Sequence, residues 1–202
     1  DLLDFILRSS VRGHFINERI CPVTLPTVFL NKSRNMNLDF KVSKKSITIL
    51  SVGTVEPRKN HEKMIKAFIK SKKSCKKEIK LIIAGSDDSF DQNLPSRITE
   101  LINNDSNIEW IKNANDEYLN ELYCSADFTI FPSIEEGFGL PIVESLWLGK
   151  PCICANFGQM SELAAQGGCL TVDVKSIDDL GEAITKLVNE ENLYKELLSQ
   201  IK

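Results

Sequence analysis

The sequence predicts an α/β domain in which a parallel sheet carries helices on both faces. Three observations predict it. From Ile47 onward, six short apolar runs alternate with helical patterns, as chained strand–helix–strand units do. The runs are apolar throughout instead of alternating with polar residues, as strands covered on both faces require. In HEKMIKAFIK, Met64, Ile65, Phe68 and Ile69 fall on one helical face.

The elements follow in order. DLLDFILRSSVRG reads as an amphipathic helix already under way at Asp1. NERICPVTLPTVFLNKSRNMNLDFKVSKKS holds two prolines, several asparagines and little periodicity, so it reads as a connecting segment with room for one short strand. The strands are then ITILSVG, KLIIAG, NIEWI, DFTIFPS, PCICAN and CLTVDV. Between them lie the helical patterns HEKMIKAFIKS, LPSRITELINN, NDEYLNELYCSA, PIVESLWLG and GQMSELAAQ, and after them SIDDLGEAITKLVNE. The last segment, ENLYKELLSQIK, stops in mid-helix, and both ends suggest a fragment of a larger protein.

Composition excludes several classes. The 202 residues suit one domain with extra segments or two small ones. Net charge is −3, which gives no case for a nucleic-acid or membrane partner. Lys70, Lys72, Lys73, Lys76 and Lys77 read as a solvated face that complements a helix C-terminus. The six cysteines include no C-x-x-C pair and the histidines number two, so the spacings match neither a zinc site nor a disulfide framework. Cys152 and Cys154 are expected to be buried in a strand, and a reducing, cytoplasmic setting fits. No run reaches membrane-spanning length and no signal peptide opens the chain.

In parallel sheets, ligands bind beyond the carboxyl ends of the strands, so the loops that follow strands are the candidates for chemistry. After Gly53 come Arg58 and Lys59, then Asn60 as an expected helix N-cap. Two cations at a helix N-terminus make an anion site, although solvent-facing loop charges would look the same. The second loop follows DFTIFPS. Gly137 and Gly139 leave room for a ligand to approach the backbone, and Pro141 suits a first helical turn. Glu136 in the loop and Glu144 in the expected first turn can accept hydrogen bonds from sugar hydroxyls. Singly, each glutamate has a bland role as a loop charge or a helix-dipole partner. A dinucleotide fingerprint fails, because Ile142 stands where its third glycine belongs.

EEGFGLPIVES resembles the E-x7-E signature of the GT-B retaining glycosyltransferases of family 4. SVGTVEPRKNHEKMIKAF is similar to the same family's phosphate loop, and the likeness extends in order from about Ile47 to Val188. The resemblance implies a Rossmann-like fold, the C-terminal half of a GT-B enzyme. Residues 47–202 would be the donor-binding domain and residues 1–46 an interdomain helix and connecting segment. It implies that Arg58 and Lys59, next to Gly53 and Thr54, hold the donor diphosphate. Glu144 would hold the ribose. Glu136, with the backbone of Gly137, Phe138, Gly139 and Leu140, would surround the transferred sugar, and Trp110 and Ile111 would border the base. Glu136, Arg58 and Lys59 are the expected catalytic groups. Many members place an arginine where this chain has Thr54; either Arg58 substitutes for it or diphosphate binding is weaker.

The implied donor is a GDP-, UDP- or ADP-linked sugar, with no metal and no other cofactor. Asp87-Asp88 and Asp178-Asp179 read as turn and helix-start residues instead of a metal motif. The implied partner is an N-terminal acceptor domain, through which any membrane contact would run; neither His14 nor His61 is assigned its catalytic role. The alternative is a non-catalytic nucleotide- or partner-binding module.

Overall fold

The computed structural model describes residues 44–88 and 90–201. The expected first helix, His14, Cys21 and all but the end of the connecting segment lie outside the described residues. Six strands form one parallel sheet: β1 (Ser46–Val52), β2 (Glu78–Ala84), β3 (Ile108–Ile111), β4 (Phe128–Phe131), β5 (Cys152–Ala155) and β6 (Cys169–Val172). Their spatial order is β3-β2-β1-β4-β5-β6. Each matches an expected run, but β2, β3 and β6 are not covered throughout: Glu78, Lys80, Glu109 and Thr171 are exposed, because β3 and β6 are the edges of the sheet and β2 lies next to one. Phe128–Phe131 and Cys152–Ala155 are buried at every position, because both faces of these strands are covered. Cys152 and Cys154 lie wholly inside, as expected of small apolar side chains in a central strand.

The helices are α1 (His61–Ser71), α2 (Leu94–Asn103), α3 (Asp116–Ser125), α4 (Leu140–Trp147), α5 (Gly158–Ala164), α6 (Ile177–Asn189) and α7 (Glu191–Gln200). On one side α1 packs against α2 and α6; α4 packs against α5. The approach of α1 to α6 is close, since a Cβ on Gly181 would stand 3.4 Å from the carbonyl oxygen of Ala67. Asp178 and Asp179 do start a helix: the Ser176 hydroxyl accepts from Asp179 N at 3.1 Å and caps α6. Of the lysine cluster, Lys70 pairs with Asp178 and Lys72 with Asp105. No helix among the described residues is long and apolar enough to cross a membrane.

Two constraints place the loops. The chain builds outward from β1 through β2 to β3, then returns to the other side of β1 for β4. The carboxyl ends of β1 and β4 therefore flank the crevice where strand order reverses. At the ends of β1 and β2 the backbones nearly touch: a Cβ on Gly85 would lie 2.0 Å from the Gly53 carbonyl oxygen. Only glycine fits there.

His61, the first residue of α1, is 2% exposed. Burial, and then the nearby Lys59 cation, depress its pKa to about 4. The folded state thus binds fewer protons than the unfolded chain between about pH 6.5 and 4, so stability is full above that window and falls on acidification. Urea unfolding across this range should show a loss on the order of 3 kcal/mol. The His61→Phe variant should lack that component.

Candidate functional site

Two loops meet at the switch point, Gly53–Asn60 after β1 and Pro132–Gly139 after β4. A short 3-10 turn, Pro57–Lys59, places Arg58 and Lys59 side by side. Asn60 follows with φ of 60°, the only non-glycine residue with positive φ among the described residues. Asparagine tolerates this left-handed conformation. It stands at the N-cap of α1, but the expected side-chain cap does not form. Its amide instead donates to the carbonyls of Pro132 (3.3 Å) and Val174 (2.7 Å). Ile134 N also donates to the Arg58 carbonyl at 2.8 Å, so backbone joins the two loops directly.

The charges of both loops converge on Glu136. Lys59 Nζ lies 2.6 Å from its Oε1 and Arg58 Nη1 2.8 Å from its Oε2. The Ser133 hydroxyl donates to Oε1 at 2.5 Å. Arg58 reaches further, to Glu56 at 2.6 Å and to the Glu135 carbonyl at 3.2 Å. Lys59 Nζ stands 5.0 Å from the centre of the Phe131 ring. Burial pushes the Glu136 carboxyl up, but Lys59, Ser133 and Arg58 together hold it below its ordinary value. Glu136 is therefore an anion clamped between two cations.

Glu144 belongs to a second cluster. It lies in the second turn of α4, not the expected first. Its Oε2 accepts from the hydroxyl of Tyr123, a fully buried residue of α3, at 2.8 Å. Burial raises its carboxyl pKa, the Tyr123 hydrogen bond opposes this, and Asp116 adds to the rise. Tyr123 was not foreseen, because nothing local in NDEYLNELYCSA marks a tyrosine whose partner sits one helix away.

A cavity of about 810 Å³ opens at the carboxyl ends of β1, β2 and β3. Gly53, Thr54, Gly85, Ser86, the segment Lys112–Asn115 and Tyr118 all line it. Arg58, Lys59, Glu136 and Glu144 are not among its lining residues. Gly53 links it to the charged cluster, since a Cβ there would lie 3.5 Å from Lys59 Cδ and Cε. Trp110 and Ile111 brace the wall behind: Trp110 Nε1 donates to the Gly85 carbonyl (2.9 Å), and Gly85 N donates to Ile111 O (3.0 Å). Lys112 stacks on Trp110 at 4.6 Å and pairs with Asp87 at 2.7 Å. The sequence reading missed Gly85 and the Lys112–Asn115 loop, although both follow strands and the strand-end rule covers them.

The two glycines of the second loop separate. Gly139 has φ of 85°, and a Cβ there would lie 3.0 Å from Leu163 Cδ1. Nothing lies within 4 Å of a Cβ on Gly137, which is exposed. Packing explains Gly139; the fold places no such demand on Gly137. Phe138 packs against the core, and Leu140 begins α4.

An open parallel sheet with helices around it, and loops meeting at its switch point, defines a Rossmann-like α/β domain. Residues 35–202 match the family described as glycosyl transferases group 1, and the chain belongs to that family. It is 28% identical over 143 residues to O-antigen chain mannosyltransferase B of Escherichia coli, a match over 71% of this chain and 37% of that protein. Its fold is similar to that of HepE from Anabaena, solved with UDP and glucose, with a TM-score of 0.65 and 19% identity over 78% of this chain and 42% of that one. A glycosyltransferase from Rickettsia africae gives a TM-score of 0.67 and 24% identity over 79% and 42% of the two chains. The chain thus spans well under half the length of these proteins.

Two outcomes are expected. Gly139→Ala should lower the melting temperature, through strained backbone and contact with Leu163, whereas Gly137→Ala should leave it within error. Calorimetry of both variants checks this. Tyr123→Phe should cost about 1 kcal/mol in urea unfolding. It should also raise the Glu144 pKa further, because the lost hydrogen bond favoured the ionised carboxylate; a carboxyl-carbon NMR titration reads that shift.

Proposed function

We propose that this chain is the donor-binding part of a retaining glycosyltransferase. The whole protein would transfer a sugar from a nucleotide-diphosphate sugar to an acceptor in polysaccharide or glycolipid biosynthesis. Residues 47–202 would hold the donor, and the acceptor would be held by a separate N-terminal domain. The observation that carries this reading is the convergence of Arg58 and Lys59 with Glu136 at the switch point. The names of the relatives support the reaction class: one is an O-antigen chain mannosyltransferase, and one similar fold was solved with UDP and glucose.

In this reading the base enters the 810 Å³ cavity, and the ribose and diphosphate lie beyond Gly53, the diphosphate against Arg58 and Lys59. Loss of the sugar leaves negative charge on the diphosphate. Two cations at a helix N-terminus neutralise it, so the reading needs no metal. Glu144 accepts from the ribose hydroxyls through Oε1, while Tyr123 holds Oε2. Glu136 faces the transferred sugar and stabilises positive charge that develops at the anomeric carbon. Arg58 takes the diphosphate contact that Thr54 cannot make. GDP-, UDP- and ADP-sugars are the candidate donors. The setting is cytoplasmic, with any contact at the inner face of the membrane made by the acceptor domain.

The test is a thermal-shift panel of GDP, UDP, ADP and their sugar conjugates. A ligand that binds only the folded state raises the midpoint. For the nucleotide that binds, Lys59→Ala should weaken the diphosphate about ten- to a hundredfold and leave the bare nucleoside unchanged, as loss of a charge-assisted contact predicts. Equal losses for both would remove Lys59 from the diphosphate site. The chain alone should bind without transferring sugar, because acceptor positioning supplies much of the barrier lowering.

A further inference from the structure

We propose that Glu136 discriminates the sugar-bearing donor from the spent nucleoside diphosphate, and so favours product release. The inference rests on the reading that Arg58 and Lys59 hold the diphosphate. In the structure both of these cations are already engaged, and by the same carboxylate. Oε1 takes Lys59 Nζ at 2.6 Å, and Oε2 takes Arg58 Nη1 at 2.8 Å. The Glu136 and Lys59 side chains are only 10% and 11% exposed, so water does little to screen their pair. A diphosphate must compete with this internal anion for both cations.

The two ligands differ in what they return to Glu136. A nucleotide sugar that displaces the carboxylate brings hydroxyl groups to the same place, and each is a donor that an ionised carboxylate accepts. The displaced charge is then satisfied by the sugar. A bare nucleoside diphosphate brings only acceptors. It strips Glu136 of its two cations and leaves a largely buried carboxylate with the Ser133 hydroxyl alone, which is costly. Bound donor is therefore favoured over bound product by a group that touches no part of the nucleotide. After transfer, Glu136 returns to Lys59 and Arg58 and helps expel the diphosphate. The same pairs keep the site electrically quiet when it is empty, so free phosphate and other small anions gain little there.

The experiment is calorimetric titration of the wild-type chain, Glu136→Gln and Glu136→Ala with GDP and GDP-mannose, UDP and UDP-glucose, and ADP and ADP-glucose. For the pair that binds, both neutral variants should tighten the nucleoside diphosphate by about two- to fivefold, the upper part of the range for ion pairs with an exposed partner such as Arg58. Neither should tighten the sugar conjugate, so the preference for donor over product should fall by at least that factor. Glu136→Ala provides the second reading should the glutamine variant melt early, and ligand-free melting curves report folding of each. An unchanged donor-to-product preference in a folded variant overturns the proposal, whether both ligands tighten together or neither does. Lys59→Ala in the same titrations separates the two levels. If it weakens the diphosphate while Glu136→Gln leaves the preference intact, discrimination alone fails. If it leaves the diphosphate untouched, the placement of the diphosphate fails with it.

Discussion

The side-chain amide of Asn60 holds the site together. Its two hydrogen bonds join the start of α1 to the carbonyl that follows β4 and to the Val174 carbonyl beyond β6. These partners lie 72 and 114 residues away in sequence. The bonds fix a left-handed backbone at Asn60, and that conformation turns the chain from the Pro57–Lys59 turn into α1. The directions of Arg58, Lys59 and His61 all follow from it. An amide that capped its own helix would leave the Pro132 and Val174 carbonyls without this donor, and the loops would lose their shared anchor.

Close approach between strand ends is the second constraint. Gly85 lies against the Gly53 carbonyl, so the loops after β1 and β2 cannot move apart or together independently. The hydrogen bond from Val55 N to Ser86 O ties these two loops, and that from Trp110 Nε1 to Gly85 O extends the link to β3. One side of the cavity is thus formed by the joined ends of three strands, and the other by Lys112–Asn115 and Tyr118. Its polar lining changes from Thr54 to Lys112 and Asn113 without any change in this scaffold.

The strands were legible because burial on both faces writes a continuous apolar run, as in FTIF and CICA. The helices were legible from their period, and the candidate loops could be named because ligands gather at strand ends. Strand order lay beyond reach, since each run is apolar enough to pair with any other. Long-range partners were illegible for the same reason. Asn60 reads as a cap from its neighbours, and only the fold brings Val174 to it. Glu136 and Lys59 could be named as site residues, yet their pairing with each other depends on the separation of two loops that no local pattern encodes. Glu144 was assigned to the wrong helical turn because the proline at 141 marks a helix start only to within a residue or so.

The sheet is unevenly local. β1 and β2 pair over seven residues, from Ser46↔Glu78 to Val52↔Ala84, whereas β1 and β4 pair only at Ile49↔Phe128 and Leu50↔Thr129. Thr48 and the Asp127 carboxylate that accepts from its backbone N–H are 79 residues apart. Contacts of such separation are entropically late to form. As the chain leaves the ribosome, β1, β2 and α1 can associate while β4 and its following loop do not yet exist. During that interval Arg58 has Glu56 within its own loop, while Lys59 still lacks Glu136. The loop that carries Arg58 and Lys59 thus waits, for part of its synthesis, for the one carboxylate that pairs with both of them in the finished domain.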